Sequence, residues 1–77
     1  MEATAGSPGG VDLKVNGAAE RHAVATVADL LRAKGLDPGR KGMAVAVNGA
    51  VAPRRTWAEA PLSAGDAVEI IEAKQGG

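Results

Sequence analysis

A chain of 77 residues with 45 % hydrophobic content makes one domain with a single thin core and has no room for a deep catalytic cleft. Nine Lys and Arg balance nine Asp and Glu, and the aromatic content is 1 %, so both the basic footprint and the stacking platform of a nucleic-acid binder are missing. There is no cysteine, which excludes disulfides, thiolate metal ligation and a cysteine nucleophile.

No apolar run approaches the roughly 18 residues of a membrane span, and the first ten residues lack the apolar stretch of a signal peptide. The expected setting is the cytoplasm. Much of the hydrophobic content is alanine and the one aromatic residue is Trp57, so stability must come from packed Val, Leu and Ile.

The opening "MEATAGSPGG" has little to bury and much entropy to lose on ordering. Residues 1–10 read as a disordered extension, or as a tail left by an early start codon. Structure begins at "VDLKVNG", where Val11, Leu13 and Val15 alternate with Asp12 and Lys14 as in a half-buried strand. Asn16-Gly17 tolerates two positive φ angles in a row, a hairpin signal. The returning strand, placed around Glu20 to Val24, alternates poorly and reads as an edge.

In "TVADLLRAKGL" the period changes, because Val27, Leu30 and Leu31 share one helical face. Thr26 can cap the start, Asp29 suits the first turn, and Gly35 suits the left-handed position after the end, with Leu36 folding back onto Leu31. This predicts a helix close to 27–34. After "DPG", the stretch "MAVAVNGAVAP" repeats the strand grammar: Met43, Val45 and Val47 alternate, Asn48-Gly49 turns, and Val51 starts back. Pro53 cannot donate to a ladder, so this return is short and at an edge.

Thr56 to Glu59 has the spacing of a capping box, predicting one helical turn that Pro61 ends, with Trp57 as the plug of the core. Gly65-Asp66 then turns into "AVEIIEA", where Val68 and Ile70 face one way and Glu69 and Ile71 the other.

Two hairpins around one helix, with the last strand set parallel to the first through a right-handed connection, make an α+β, β-grasp (ubiquitin-like) domain: a mixed sheet of about five strands with the helix on one face. The expected division is a domain over residues 11–72 and a flexible Gly-Gly tail over 73–77. In that order and spacing, "TVADLL", "VAVNGAVAPRRTW", "LSAGDAVEI" and the final "QGG" resemble the ThiS-type sulfur carriers of thiamine biosynthesis, a likeness covering roughly residues 11–77.

The resemblance implies a protein co-substrate with no catalysis of its own. Gly77 would be adenylated by a ThiF-like enzyme using ATP and Mg, converted to a thiocarboxylate with sulfur from a donor such as a cysteine desulfurase, and offered to a ThiG-like thiazole synthase. The carrier itself would bind no cofactor and would be a monomer when free. Because Gly76 and Gly77 lack a Cβ, such a tail could thread a narrow channel toward a bound nucleotide. Other carriers share the glycine pair, so a role in molybdopterin, cysteine or secondary-metabolite synthesis stays open. A ubiquitin-like modifier joined to target lysines is a further alternative.

Other residues divide between partner contact and plain solvation. Arg54 and Arg55 suit either an acidic partner surface or a solvated turn. Lys74 and Gln75 either meet the activating enzyme or keep the tail soluble. Ile71 points away from the helix-covered face, which with Ala44 and Ala46 predicts a modest apolar docking patch unless the chain's own loops cover it. His22 stands without a nucleophile or carboxylate dyad and reads as a solvated strand residue. No metal-ligand cluster, phosphate-binding glycine loop or nucleophile-base pair is discernible.

Overall fold

The alternation that begins at Val11 becomes the first strand of a computed structural model that describes residues 10–73. Most of the extension expected over residues 1–10, and the tail beyond Ala73, lie outside the described residues. Strand β1 spans Val11–Val15 and β2 spans Ala18–His22, joined by Asn16 and Gly17 at φ 51° and 85°. Two consecutive positive φ angles are the signature of a tight turn whose twist matches that of the strands. Pairing therefore resumes at once, with Val15 opposite Ala18, and the strand expected over 20–24 begins two residues earlier. The register places Glu20 opposite Leu13 and so on the same face, toward the helix. There its carboxylate accepts from His22 Nε2 at 2.7 Å and from Lys34 Nζ at 2.8 Å.

Helix α1 covers Val27–Ala33, too short to persist alone. Both ends are closed. Thr26 Oγ1 accepts from the Asp29 amide, and Asp29 Oδ2 accepts from the amides of Thr26 and Ala25, a reciprocal capping box. The Val27 and Ala28 amides donate to the carbonyls of Ala60 and Trp57, so the orphan donors of the first turn are satisfied by a distant segment. At the other end Gly35, at φ 80°, donates to Arg32 O and Leu36 donates to Leu31 O, the paired bonds of a Schellman ending. Val27, Ala28, Leu30 and Leu31 are buried.

Strand β3 spans Met43–Val47 and β4 spans Ala50–Ala52, joined by a second turn of positive φ at Asn48 and Gly49. The helical turn expected to start at Thr56 starts instead as a 3-10 turn over Arg54–Thr56. Pro53, at φ −60°, already holds the angle that opens it, so Thr56 sits at its end and donates its hydroxyl to Pro53 O rather than capping Glu59. Trp57 closes the core, buried, with Nε1 donating to Ala52 O at 2.7 Å.

Strand β5 spans Ala67–Glu72 and lies in the middle of a five-stranded sheet of order β2-β1-β5-β3-β4. It runs parallel to β1 and antiparallel to β3. Helix α1 covers one face, and Leu13, Val15, Val45, Val68, Ile70 and Trp57 share its core. The two hairpin asparagines also hold β5. Asn16 Oδ1 accepts from the Ile70 amide at 2.8 Å while its Nδ2 donates to Ile70 O, and Asn48 Oδ1 accepts from the Ala67 amide at 2.9 Å.

Asn16→Ala strands the Ile70 amide and places a Cβ-bearing residue at positive φ without a compensating polar side chain. It is expected to lower the unfolding free energy by about 1–3 kcal/mol, read by urea denaturation, with Asn16→Asp losing less because it keeps the acceptor. Acid sensitivity has a defined source as well. The hydrogen bond from His22, then that from Lys34, hold the Glu20 carboxyl below the ordinary glutamate value, and the Ala25 amide does the same for Asp29. Lowered carboxyl values give stability that is present above the unfolded-state pKa and lost as pH falls through the folded-state one. The difference in urea midpoint between wild type and Glu20→Gln should therefore shrink as pH falls below about 4, and a constant difference would contradict this origin.

Candidate functional site

Strand alternation that buries Val45, Val68 and Ile70 against α1 turns their neighbours to the opposite, uncovered face. On that face Ile71 of β5 stands opposite Ala44 of β3, and Ala46 stands between Val51 of β4 and Glu69 of β5. Val51 and Ile71 are 78 % and 60 % exposed and are the exposed large hydrophobic residues among the described residues. The alanines between them are short, which leaves a shallow apolar strip across three strands. Toward β1 and β2 the same face becomes charged, where Asp12 pairs with Arg21 at 2.9 Å.

Val51 was not legible as part of this strip from its own segment. The signal was the two-residue turn, since Val47 opposite Ala50 forces Val51 opposite Ala46, and hence onto the open face.

The strip ends where the chain leaves the sheet. Glu72 is opposite Met43, and the next amide, that of Ala73, donates to Gly42 O at 2.6 Å. Arg40 Nη2 reaches Glu72 Oε1 at 2.5 Å. Lys74, Gln75, Gly76 and Gly77 lie beyond the described residues.

Of the other residues singled out from sequence, Arg54 is engaged within its own chain. Its Nη1 and Nη2 donate to Pro38 O and Arg40 O, and the guanidinium lies 4.6 Å from the centre of the Trp57 ring. Arg55 is exposed. His22 donates to Glu20 and is half-buried, an arrangement that ties an edge strand to the end of α1 through Lys34. Among the described residues no three His, Asp or Glu side chains gather as a metal site and no pocket is present. What this region offers is an uncovered face and a strand end held by β3 and the loop before it.

The ThiS family model matches residues 13–77, and the mixed sheet with one covering helix is the β-grasp arrangement. Among solved structures, the chain is similar to the thiamine biosynthesis protein ThiS from Geobacter metallireducens, with 29 % identity and a TM-score of 0.66 over 87 % of this chain and 100 % of that one. No curated protein matches.

The exposure of Ile71 and Val51 has a direct consequence for stability. Ile71→Asp and Val51→Asp should each fold, with circular dichroism unchanged and unfolding free energies within about 1 kcal/mol of wild type. A loss several times larger would mean that the strip is covered by the chain itself.

Proposed function

The chain belongs to the ThiS family, and we propose on that premise that it is a sulfur carrier of thiamine biosynthesis that works through its last residue, Gly77. The carboxylate is a poor acyl donor. Attack of a carboxylate oxygen on the α-phosphorus of ATP expels pyrophosphate and leaves an acyl adenylate, from which a sulfur nucleophile displaces AMP at the carbonyl carbon. The product is a thiocarboxylate, the form in which sulfur passes to a thiazole synthase. ATP and magnesium belong to a ThiF-like partner. With a cysteine desulfurase as the sulfur source, its persulfide displaces AMP to give an acyl persulfide, and a second thiol attacks the enzyme-bound sulfur, forming a disulfide and releasing the thiocarboxylate.

The observation that carries this reading is continuity. The family match runs from Leu13 to Gly77, and the sheet within it delivers its central strand, still paired at Glu72, directly into "AKQGG". Gly76 and Gly77 present no Cβ, so the last peptide units can approach a nucleotide closely. The strip formed by Ile71, Ala44, Ala46 and Val51 supplies the docking surface, with Lys74 and Gln75 following into the partner. The absence of cysteine fits a carrier whose sulfur rides on a carboxyl group, because an internal thiol would compete for the activated glycine.

The test is intact mass with fragmentation of the C-terminal peptide, after incubation with an adenylating enzyme, ATP and a sulfur source. A gain equal to one oxygen replaced by sulfur, localised to Gly77, is expected. Conjugates to lysine would instead establish a modifier, and sulfur delivered to another acceptor would move the chain to a different pathway. Deleting Gly77 should abolish activation with thermal stability unchanged. Ile71→Asp should weaken binding to the adenylating enzyme by about tenfold or more, from the roughly 1.5–3 kcal/mol of a large aliphatic side chain buried on docking.

A further inference from the structure

Arg54 has more contacts than a solvated turn residue needs. Its ring partner Trp57 is anchored in the core and by a hydrogen bond to Ala52 O. Its two terminal nitrogens hold the carbonyls of Pro38 and Arg40 at 2.5 and 2.6 Å. A planar fork above an aromatic face is an arrangement that arginine makes and lysine does not. The loop before β3 is thus fastened to the core at the residue whose side chain then reaches Glu72, the last residue of β5. Two residues further along this loop, Gly42 O takes the Ala73 amide.

The Arg40 and Glu72 side chains are 49 % and 44 % exposed, and an ion pair so exposed adds little to global stability. Its position is what distinguishes it. It sits beside the final sheet pair, Met43 with Glu72, where the domain ends and the reactive tail begins.

We propose that Trp57, Arg54, Arg40 and Glu72 form a positioning relay that fixes Glu72 and Ala73, the point from which the chain continues into residues 74–77. Its purpose rests on the carrier reading, since only a tail that must enter another protein gains from a fixed point of departure. The relay keeps Glu72 and Ala73 ordered in the free protein, so that docking orders fewer residues. Fixing the backbone of one residue corresponds to about five- to thirtyfold in an equilibrium constant. Arg40 and Arg54 then act through the chain's own backbone and not by touching an acidic partner.

The experiment compares full-length wild type with Arg40→Ala, Glu72→Ala, Arg54→Lys and the exchanged pair Arg40→Glu with Glu72→Arg. Hydrogen exchange of the Ala73 amide is measured in the free protein, and KM and kcat for the carrier in ATP–pyrophosphate exchange are measured with its adenylating enzyme. Each single variant should lose Ala73 protection severalfold and raise KM about five- to thirtyfold at constant kcat, and the exchanged pair should restore both.

Unchanged Ala73 protection in Arg40→Ala and Glu72→Ala overturns the relay. So does an exchanged pair that recovers protection without recovering KM, because Arg40 would then be a direct partner contact. If no adenylating enzyme activates wild type while the protection pattern follows the expectation, the carrier reading fails and the ordering of the tail root by the relay stands.

Discussion

The rest of the molecule depends on the docking of β5 between β1 and β3. Val68 and Ile70 of that strand complete the core beneath α1, its outward side chain Ile71 belongs to the open face, and its end is the root of the tail. The contact is long in sequence, with Asn16 and Ile70 separated by 54 residues, so the loop-closure cost is incurred before the strand gains its partners. The asparagines that turn the hairpins meet this cost in part. After β1 has turned away, the Asn16 side-chain carboxamide supplies the acceptor and donor that a continuing strand would have offered Ile70.

A core this small has little margin, and the fold closes it by sharing groups between elements. The segment from Trp57 to Leu62 covers the core with two buried side chains and also accepts the first amides of α1. Glu20, His22 and Lys34 join the edge strand to the other end of the same helix. With its helix ends satisfied by caps or by distant backbone, a seven-residue helix is sufficient to cover the sheet.

Two parts of the surface then take separate roles. In the proposed function the exposed strip of Ile71, Ala44, Ala46 and Val51 is the docking surface, and the root at Glu72 and Ala73 sets where the tail begins. Ile71 of the strip and Glu72 of the root are neighbours on β5. The period of two in β5 turns Ile70 into the core and leaves Ile71 on the open face.

Periodicity and turn chemistry made most of the architecture legible. The alternation in β1, β3 and β5, the Asn-Gly turns, and the Thr26 and Gly35 helix ends are local, and each acts through its own φ preferences or nearest hydrogen bonds. The resemblance carried by "TVADLL" and the final "QGG" likewise needed no coordinates. Four things required the tertiary structure. The start of β2 at Ala18 and the place of Val51 on the strip depend on register, which is a property of two strands together. The turn begins at Arg54 and not at Thr56 because Pro53 and the burial of Trp57, and not the capping spacing, decide where the backbone closes. Arg54 itself read as a solvated or partner-facing cation, and only the fold brings the Pro38 and Arg40 carbonyls to its guanidinium. Local sequence determined the elements, since short-range forces suffice for those. Which side chains meet across long separations was decided by packing.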